Sequence, residues 1–365
     1  MIEIFKEKFE KRHQIARELK KDGRKIIGCF YGSVPKELVH AAGIVPVQLV
    51  EDRNSQYEAK SGLLPYLCGM SKNLTGQIHD KVFDYIDAVM VSTVCDTNRH
   101  VPDIWERNKV FPKTWIVRAP IMANEVAVAY YTREVHRLAD ELGKFSGRQV
   151  TEDGLRQSIA LYNENKALFR KFYQIRMESG LSAEDAVYVF ASALVLPVEE
   201  HNTLLKRLLE DLKGAPERDG KTRLMLCALN LNMSLAVIRM AEKYEARVVT
   251  DDFTHNARYG SEEIEVDGDV FKALARGYLR KIPLPGMYSF EQRAKYIREL
   301  MTQSRSEGLI YLIQQYCDAY VMEYAVLKEY FDRWQLPHLK IEAEDTPLSI
   351  EQLNVRVQSF LESLV

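Results

Sequence analysis

Three cysteines end apolar runs, and they offer the most pronounced chemistry in the sequence: Cys68 in LLPYLCGM, Cys95 in AVMVSTVCD and Cys317 in LIYLIQQYCD. Each is read as closing a strand. A strand that closes on cysteine delivers a thiolate to the carboxyl edge of a parallel sheet, where open α/β folds build their sites. Three thiolates from distant segments can converge on one soft metal centre. Three is also one fewer than a closed tetrahedral site uses, which leaves a coordination position for a substrate. Zinc would want a fourth ligand, for which His100 stands five residues after Cys95. The C-x₂₋₄-C knuckle of structural zinc sites is absent, however, and an iron–sulfur cluster suits scattered thiolates better. Cys29 and Cys227 lie inside apolar runs and read as small core residues.

Ser33 and Glu51 form a second constellation. Each follows a predicted strand at the same sheet edge, and they stand eighteen residues apart. The plainer reading makes Ser33 a helix cap two residues before Pro35 and Glu51 a solvated strand end. The sequence holds no G-x-G-x-x-G after its first strand, no Walker A motif and no G-x-S-x-G elbow. Nucleotide binding by this chain and serine-hydrolase chemistry are therefore not expected.

These residues need elements to position them. KIIGCFY (25–31) reads as a buried strand, then a turn at Gly32-Ser33-Val34-Pro35, a short helix KELVHAA stopped by Gly43, and a strand IVPVQLV at 44–50. YIDAVMVST (85–93) and KTWIVRA (113–119) are further strands, each followed by a helical pattern. A helix is predicted over 1–22, and from about 124 to 214 the period is helical, with a cap at Thr151. GAPERDGK (214–221) reads as a linker. Then strands return at 223–231, 246–253, 308–316 and 338–344, with a last helix near 349–363. Continuous apolar strands alternating with helices predict parallel sheets covered on both faces. The expected fold is α/β, with two Rossmann-like lobes joined by a helical segment. The lobes are placed at 1–140, carrying Cys68 and Cys95, and 221–365, carrying Cys317, with 141–220 between them. No residue-level repeat is read between the halves.

The net charge of −2, without a basic run, excludes a nucleic-acid partner as an expectation. No uncharged apolar stretch approaches the roughly 18 residues of a membrane helix, and the charged N-terminus is unlike a signal peptide. Five cysteines without close spacing speak against a disulfide framework, so a cytoplasmic protein with reduced thiols is expected.

The segments GCFYGSVPKELVHAAGIVPVQL, LPYLCGMSKN, VSTVCDTNRHVPDIWE, YCDAYVMEYAVLKEYF and LPHLKIEAEDTPLSIEQLNVRVQSFLE, in this order, resemble the 2-hydroxyacyl-CoA dehydratase / benzoyl-CoA reductase family from about residue 25 onward. The resemblance implies a [4Fe–4S] cluster held by Cys68, Cys95 and Cys317, with Ser33 and Glu51 in substrate handling. It implies an acyl-CoA substrate, a homologous second subunit or second copy, and an ATP-dependent iron–sulfur activator protein. The implied reaction is dehydration of an (R)-2-hydroxyacyl-CoA. One electron on the thioester carbonyl gives a ketyl radical that expels the 2-hydroxyl and acidifies the β-proton. The alternatives are an aryl-CoA reductase subunit or a subunit that only relays electrons. A branch with a double-cubane cluster carries extra cysteines in the second half. Here VTDDFTHNARYG and RKIPLPGMY have none, which implies a single cubane.

Overall fold

The computed structural model describes residues 1–30, 33–52, 56–178, 181–212, 221–229, 231–253, 257–260, 263–344 and 347–364. Its first part runs α1 (Ile2–Glu10), α2 (Arg12–Lys21), β1 (Ile26–Cys29), α3 (Lys36–Ala41), β2 (Val45–Gln48), α4 (Gln56–Lys60), α5 (Gly69–His79), β3 (Ala88–Ser92), α6 (Asp96–Arg107) and β4 (Thr114–Val117). Four helices follow: α7 (Glu125–Ser146), α8 (Glu152–Glu178), α9 (Ala183–Ala193) and α10 (Val198–Asp211). The last part is β5 (Thr222–Ala228), α11 (Leu231–Lys243), β6 (Ala246–Phe253), α12 (Ala257–Gly260), α13 (Val270–Arg280), α14 (Phe290–Gln303), β7 (Gly308–Gln314), α15 (Asp318–Arg333), β8 (His338–Ala343) and α16 (Pro347–Glu362). No helix among the described residues is long and apolar enough to cross a membrane.

The strands form two four-stranded parallel sheets, ordered β2-β1-β3-β4 and β6-β5-β7-β8. The order is the same in both: the second strand of each set lies outside the first, and the third and fourth lie on the other side. β1, β2, β3, β6 and β7 are buried throughout, whereas β4 and β8, at one edge of each sheet, and the first two residues of β5 are partly exposed. That is why most of the buried strands read as near-continuous apolar runs. The α/β reading with parallel sheets therefore holds. Gly43 ends α3 in the left-handed region at φ +77°, and Thr151 Oγ1 accepts the Gly154 amide at 3.1 Å, capping α8 as its sequence predicts. The predicted linker lies almost wholly outside the described residues.

Two expectations are corrected. The N-terminal helix breaks at Lys11 because its halves have different partners. Phe5 and Phe9 on α1 meet the rings of His201 and Tyr188, whereas Arg17 on α2 pairs with Asp84 at 2.9 Å. The run LLPYL before Cys68 is not a strand. It is turn and coil between α4 and α5, with Leu64 and Tyr66 exposed at 53% and 63%.

His201 illustrates how the helical segment is held together. It is fully buried, with Nε2 3.0 Å from the Val189 carbonyl and Nδ1 3.0 Å from the Asn165 amide nitrogen. That pattern suits a neutral ring, which donates from Nε2 and accepts at Nδ1. Burial lowers its pKa from 6.5 to about 4. The unfolded chain thus takes up a proton near pH 6.5 that the folded chain refuses until about pH 4. The contribution of His201 is complete above pH 6.5 and falls away as the pH drops toward 4, by up to about 3 kcal/mol. Denaturant midpoints measured from pH 7.5 to 4.5 should show this loss. His201→Gln, which can make both hydrogen bonds without titrating, should flatten that part of the profile.

Candidate metal centre

Cys68, Cys95 and Cys317 line one open cavity of about 660 Å³. Its walls come from both sheets, with Val94 after β3, Leu229 after β5 and Tyr316 after β7. Cys95 and Cys317 each stand three residues beyond the third strand of their own sheet. Each is followed by an aspartate that opens a helix. The two halves therefore do carry a residue-level echo, a Cys-Asp pair at equivalent positions, which the sequence reading missed.

A second shared feature is more informative. All three cysteines are helix N-caps: Cys68 for α5, Cys95 for α6 and Cys317 for α15. None of the three sulfurs closes a cap hydrogen bond of ordinary geometry. Three helix N-termini therefore point their first-turn amides and positive dipole ends at the sulfurs of one cavity. The amides of Ser71 and Met70 act on Cys68, those of Asn98 and Thr97 on Cys95, and that of Tyr320 on Cys317, each favouring the thiolate. Tyr316, at φ +65°, takes the left-handed conformation that turns the exit of β7 into the cap of α15. Close packing fixes α5 as well. A Cβ on Gly76 would stand 1.9 Å from the Tyr57 carbonyl oxygen of α4, so only glycine lets the two helices meet there.

Burial opposes these amides. Cys68 and Cys317 share a hydrogen bond, so Cys68 ionises first and its thiolate, together with burial, holds the Cys317 proton. Cys95, the most accessible of the three, is pushed up to about 11 by burial. Cys29 and Cys227 lie in the core and are not among the residues lining the cavity, and burial raises both thiols. His100 is no fourth ligand: its side chain is 68% exposed and pairs with Asp96 at 3.4 Å. Among the described residues no group of three or more His, Cys, Asp or Glu is placed to hold a metal ion. One ion bound at about 2.3 Å would need its sulfurs within roughly 4 Å of each other. The donor set is instead three soft thiols on separate helices, set around a space lined by amide donors. That arrangement suits an anionic, thiolate-bound cluster rather than a lone cation.

Ser33 and Glu51 are buried, at 1% and 3% exposure, but neither is among the residues lining the cysteine cavity. Glu51 is no solvated strand end. Its Oε1 accepts the backbone N–H of Leu231 at 2.7 Å, so a carboxylate of the first sheet caps α11 beside the second. Its charge reaches the Cys68 thiol and raises it. Ser33 Oγ has no hydrogen-bond partner among the described residues. Its carbonyl lies 3.4 Å from the Tyr131 hydroxyl. Sequence reasoning also missed Ser71, three residues after Cys68. Its hydroxyl is buried in the cavity wall without a partner among the described residues. The C-x-x-S spacing at a helix start was the available signal.

Fold and site together define a two-sheet α/β protein that gathers three capping thiols in a cleft between its halves. The sequence matches the family model of the 2-hydroxyglutaryl-CoA dehydratase D-component over residues 31–364, and the chain belongs to that family. The beta subunit of (R)-2-hydroxyglutaryl-CoA dehydratase from Acidaminococcus fermentans is 24% identical, the match covering 100% of this chain and 99% of the relative. One of the subunits of benzoyl-CoA reductase from Thauera aromatica is 26% identical, over 93% and 91% of the two chains. The beta subunit of (R)-phenyllactyl-CoA dehydratase from Clostridium sporogenes is 21% identical, over 96% and 94%.

Proposed function

We propose that this chain is the iron–sulfur subunit of an ATP-activated (R)-2-hydroxyacyl-CoA dehydratase, with a [4Fe–4S] cluster on Cys68, Cys95 and Cys317. The observation that carries the reading is the convergence of three capping cysteines on one cavity. Bound there, the cluster would lend one electron to the thioester, which weakens the bond to the 2-hydroxyl and acidifies the β C–H, and would take that electron back as the enoyl thioester forms, so that loss of water is redox-neutral overall. The rest falls to the chain itself. The amides of α5, α6 and α15 hold negative charge at the sulfurs without reorganising. Glu51 takes the β-proton and returns it to the departing hydroxyl. Ser33, with its hydroxyl uncommitted among the described residues, donates to the thioester oxygen or the leaving group.

Relatives named as subunits support a homologous partner or second copy, and exposed Leu64 and Tyr66 beside Cys68 offer apolar surface for one. One observation favours a second reading, in which the chain only relays electrons: Glu51 is engaged with Leu231 and stands outside the lining of the cysteine cavity. The test is anaerobic turnover with the partner subunit, an iron–sulfur ATPase activator and ATP. An (R)-2-hydroxyacyl-CoA should be converted to the enoyl-CoA only when ATP is present. Ring reduction of an aryl-CoA with no dehydration would move the assignment to the aryl-CoA reductases.

A further inference from the structure

The wall of the cysteine cavity carries a buried hydroxyl that the fold leaves unused. Ser71 is the third residue of α5, is 1% exposed and lines the cavity beside Cys68. A serine inside a helix ordinarily turns its hydroxyl back to a carbonyl three or four residues earlier. Ser71 Oγ does not, and it has no hydrogen-bond partner among the described residues. The other hydroxyl and amide side chains on this wall are engaged or open to solvent. Asn98 Nδ2 donates to the Ser92 carbonyl at 3.2 Å and the Tyr320 hydroxyl to the Ala228 carbonyl at 3.0 Å, while Thr97 is half-buried and Tyr316 exposed. Ser71 is also held in place. Thr75 Oγ1 donates to its carbonyl at 2.8 Å and accepts Trp105 Nε1 at 3.2 Å, so α6, which Cys95 caps, ties down the first turn of α5. A Cβ on Gly69 would stand 2.5 Å from Gln314 Nε2, so the start of α5 is pressed against the end of β7. An uncompensated buried hydroxyl lowers stability, so the position is explained by something the cavity receives.

We infer that Ser71 Oγ donates a hydrogen bond to a sulfur of the cluster and thereby sets its reduction potential. This rests on the reading that Cys68, Cys95 and Cys317 hold a [4Fe–4S] cluster. The backbone amide of Ser71 already acts on Cys68, and the hydroxyl adds a second donor from the same residue. Reduction adds one electron, delivered by the reduced iron–sulfur activator, and makes the cluster more negative by one charge while no bond forms or breaks. A hydrogen bond to sulfur is stronger to the more negative form, so it raises the potential. The hydroxyl therefore eases loading of the electron, and its loss makes the cluster harder to reduce.

The test is an anaerobic redox titration of the reconstituted full chain and its Ser71→Ala and Ser71→Thr variants, with titanium(III) citrate as reductant and the visible absorbance of the cluster as readout. Iron and sulfide content should be the same in each, because the ligands are untouched. In Ser71→Ala the ratio of reduced to oxidised cluster at the wild-type midpoint should fall about tenfold, which is about 59 mV for one electron. Ser71→Thr keeps the hydroxyl and should return most of that shift, which a merely structural role would not do. Without a cluster, Ser71→Ala loses no hydrogen bond of this hydroxyl among the described residues and should unfold at the wild-type temperature or above. An unchanged midpoint in Ser71→Ala, or the same low value in Ser71→Thr, overturns the inference while leaving the cluster in place. Loss of iron from Ser71→Ala alone would make the oxygen a ligand and would overturn it too. A wild-type chain that takes up no cluster would instead bring down the reading on which the inference rests.

Discussion

Cys95→Ala should yield a folded protein that has lost its cluster. Cys95 is partly exposed and makes no ordinary cap hydrogen bond, so alanine leaves α6 in place at a small loss of stability. The cluster is another matter. With three protein thiolates available, losing one leaves two, and no histidine stands ready, because His100 faces solvent and pairs with Asp96. Absorbance of the cluster near 400 nm, read anaerobically, should disappear in Cys95→Ala and in Cys317→Ala; such charge-transfer colour accompanies thiolate-bound iron generally. Cys227→Ala is the control: it empties a small volume in the core beside β7 and should keep full colour with slightly lower stability. Colour retained in Cys95→Ala would remove that residue from the site.

Glu51→Gln is expected to separate chemistry from structure. Glutamine keeps an oxygen to accept the Leu231 N–H, so the cap on α11 and the link between the two sheets persist. The substitution removes the titrating group and the negative charge that acts on Cys68. Cluster content should match wild type, and turnover with activator and ATP should fall by about 10²-fold or more, the scale of losing a general base. Full activity would reduce Glu51 to its cap. Unfolding of Glu51→Gln would be contrary to the geometry, since the hydrogen bond survives.

The sheets were legible in the sequence because parallel strands buried on both faces must be apolar from end to end. β6 was placed at 246–253 even though Asp251 and Asp252 stand just before its last residue, Phe253, because the apolar run before them was sufficient. Nothing local shows why those acids are tolerated. Arg176 meets Asp251 at 2.6 Å, while Arg258 and Arg293 meet Asp252, and all three cations arrive from other elements. The three cysteines that the sequence singled out line one cavity, but Cys68 was misread as a strand end, whereas Cys95 and Cys317 do stand just beyond β3 and β7. LLPYL is apolar without being core, since Leu64 and Tyr66 face outward, and apolar content alone cannot tell an exposed patch from a buried strand. The common property of Cys68, Cys95 and Cys317 is that each stands at the start of a helix. The buried Glu37 cluster was illegible for a deeper reason. Glu37, Lys166 and Tyr278 come from α3, α8 and α13, and no spacing in one chain segment encodes their meeting.

The central claim is that three thiols at three helix N-termini hold one cubane. Its most direct measurement is iron and acid-labile sulfide on the wild-type chain, purified without oxygen and checked for monomer concentration by amino-acid analysis. The account predicts about four irons and about four sulfides per chain, the content of a single [4Fe–4S] cluster. A chain that carries no iron after anaerobic reconstitution, or that carries one zinc and no sulfide, would contradict it.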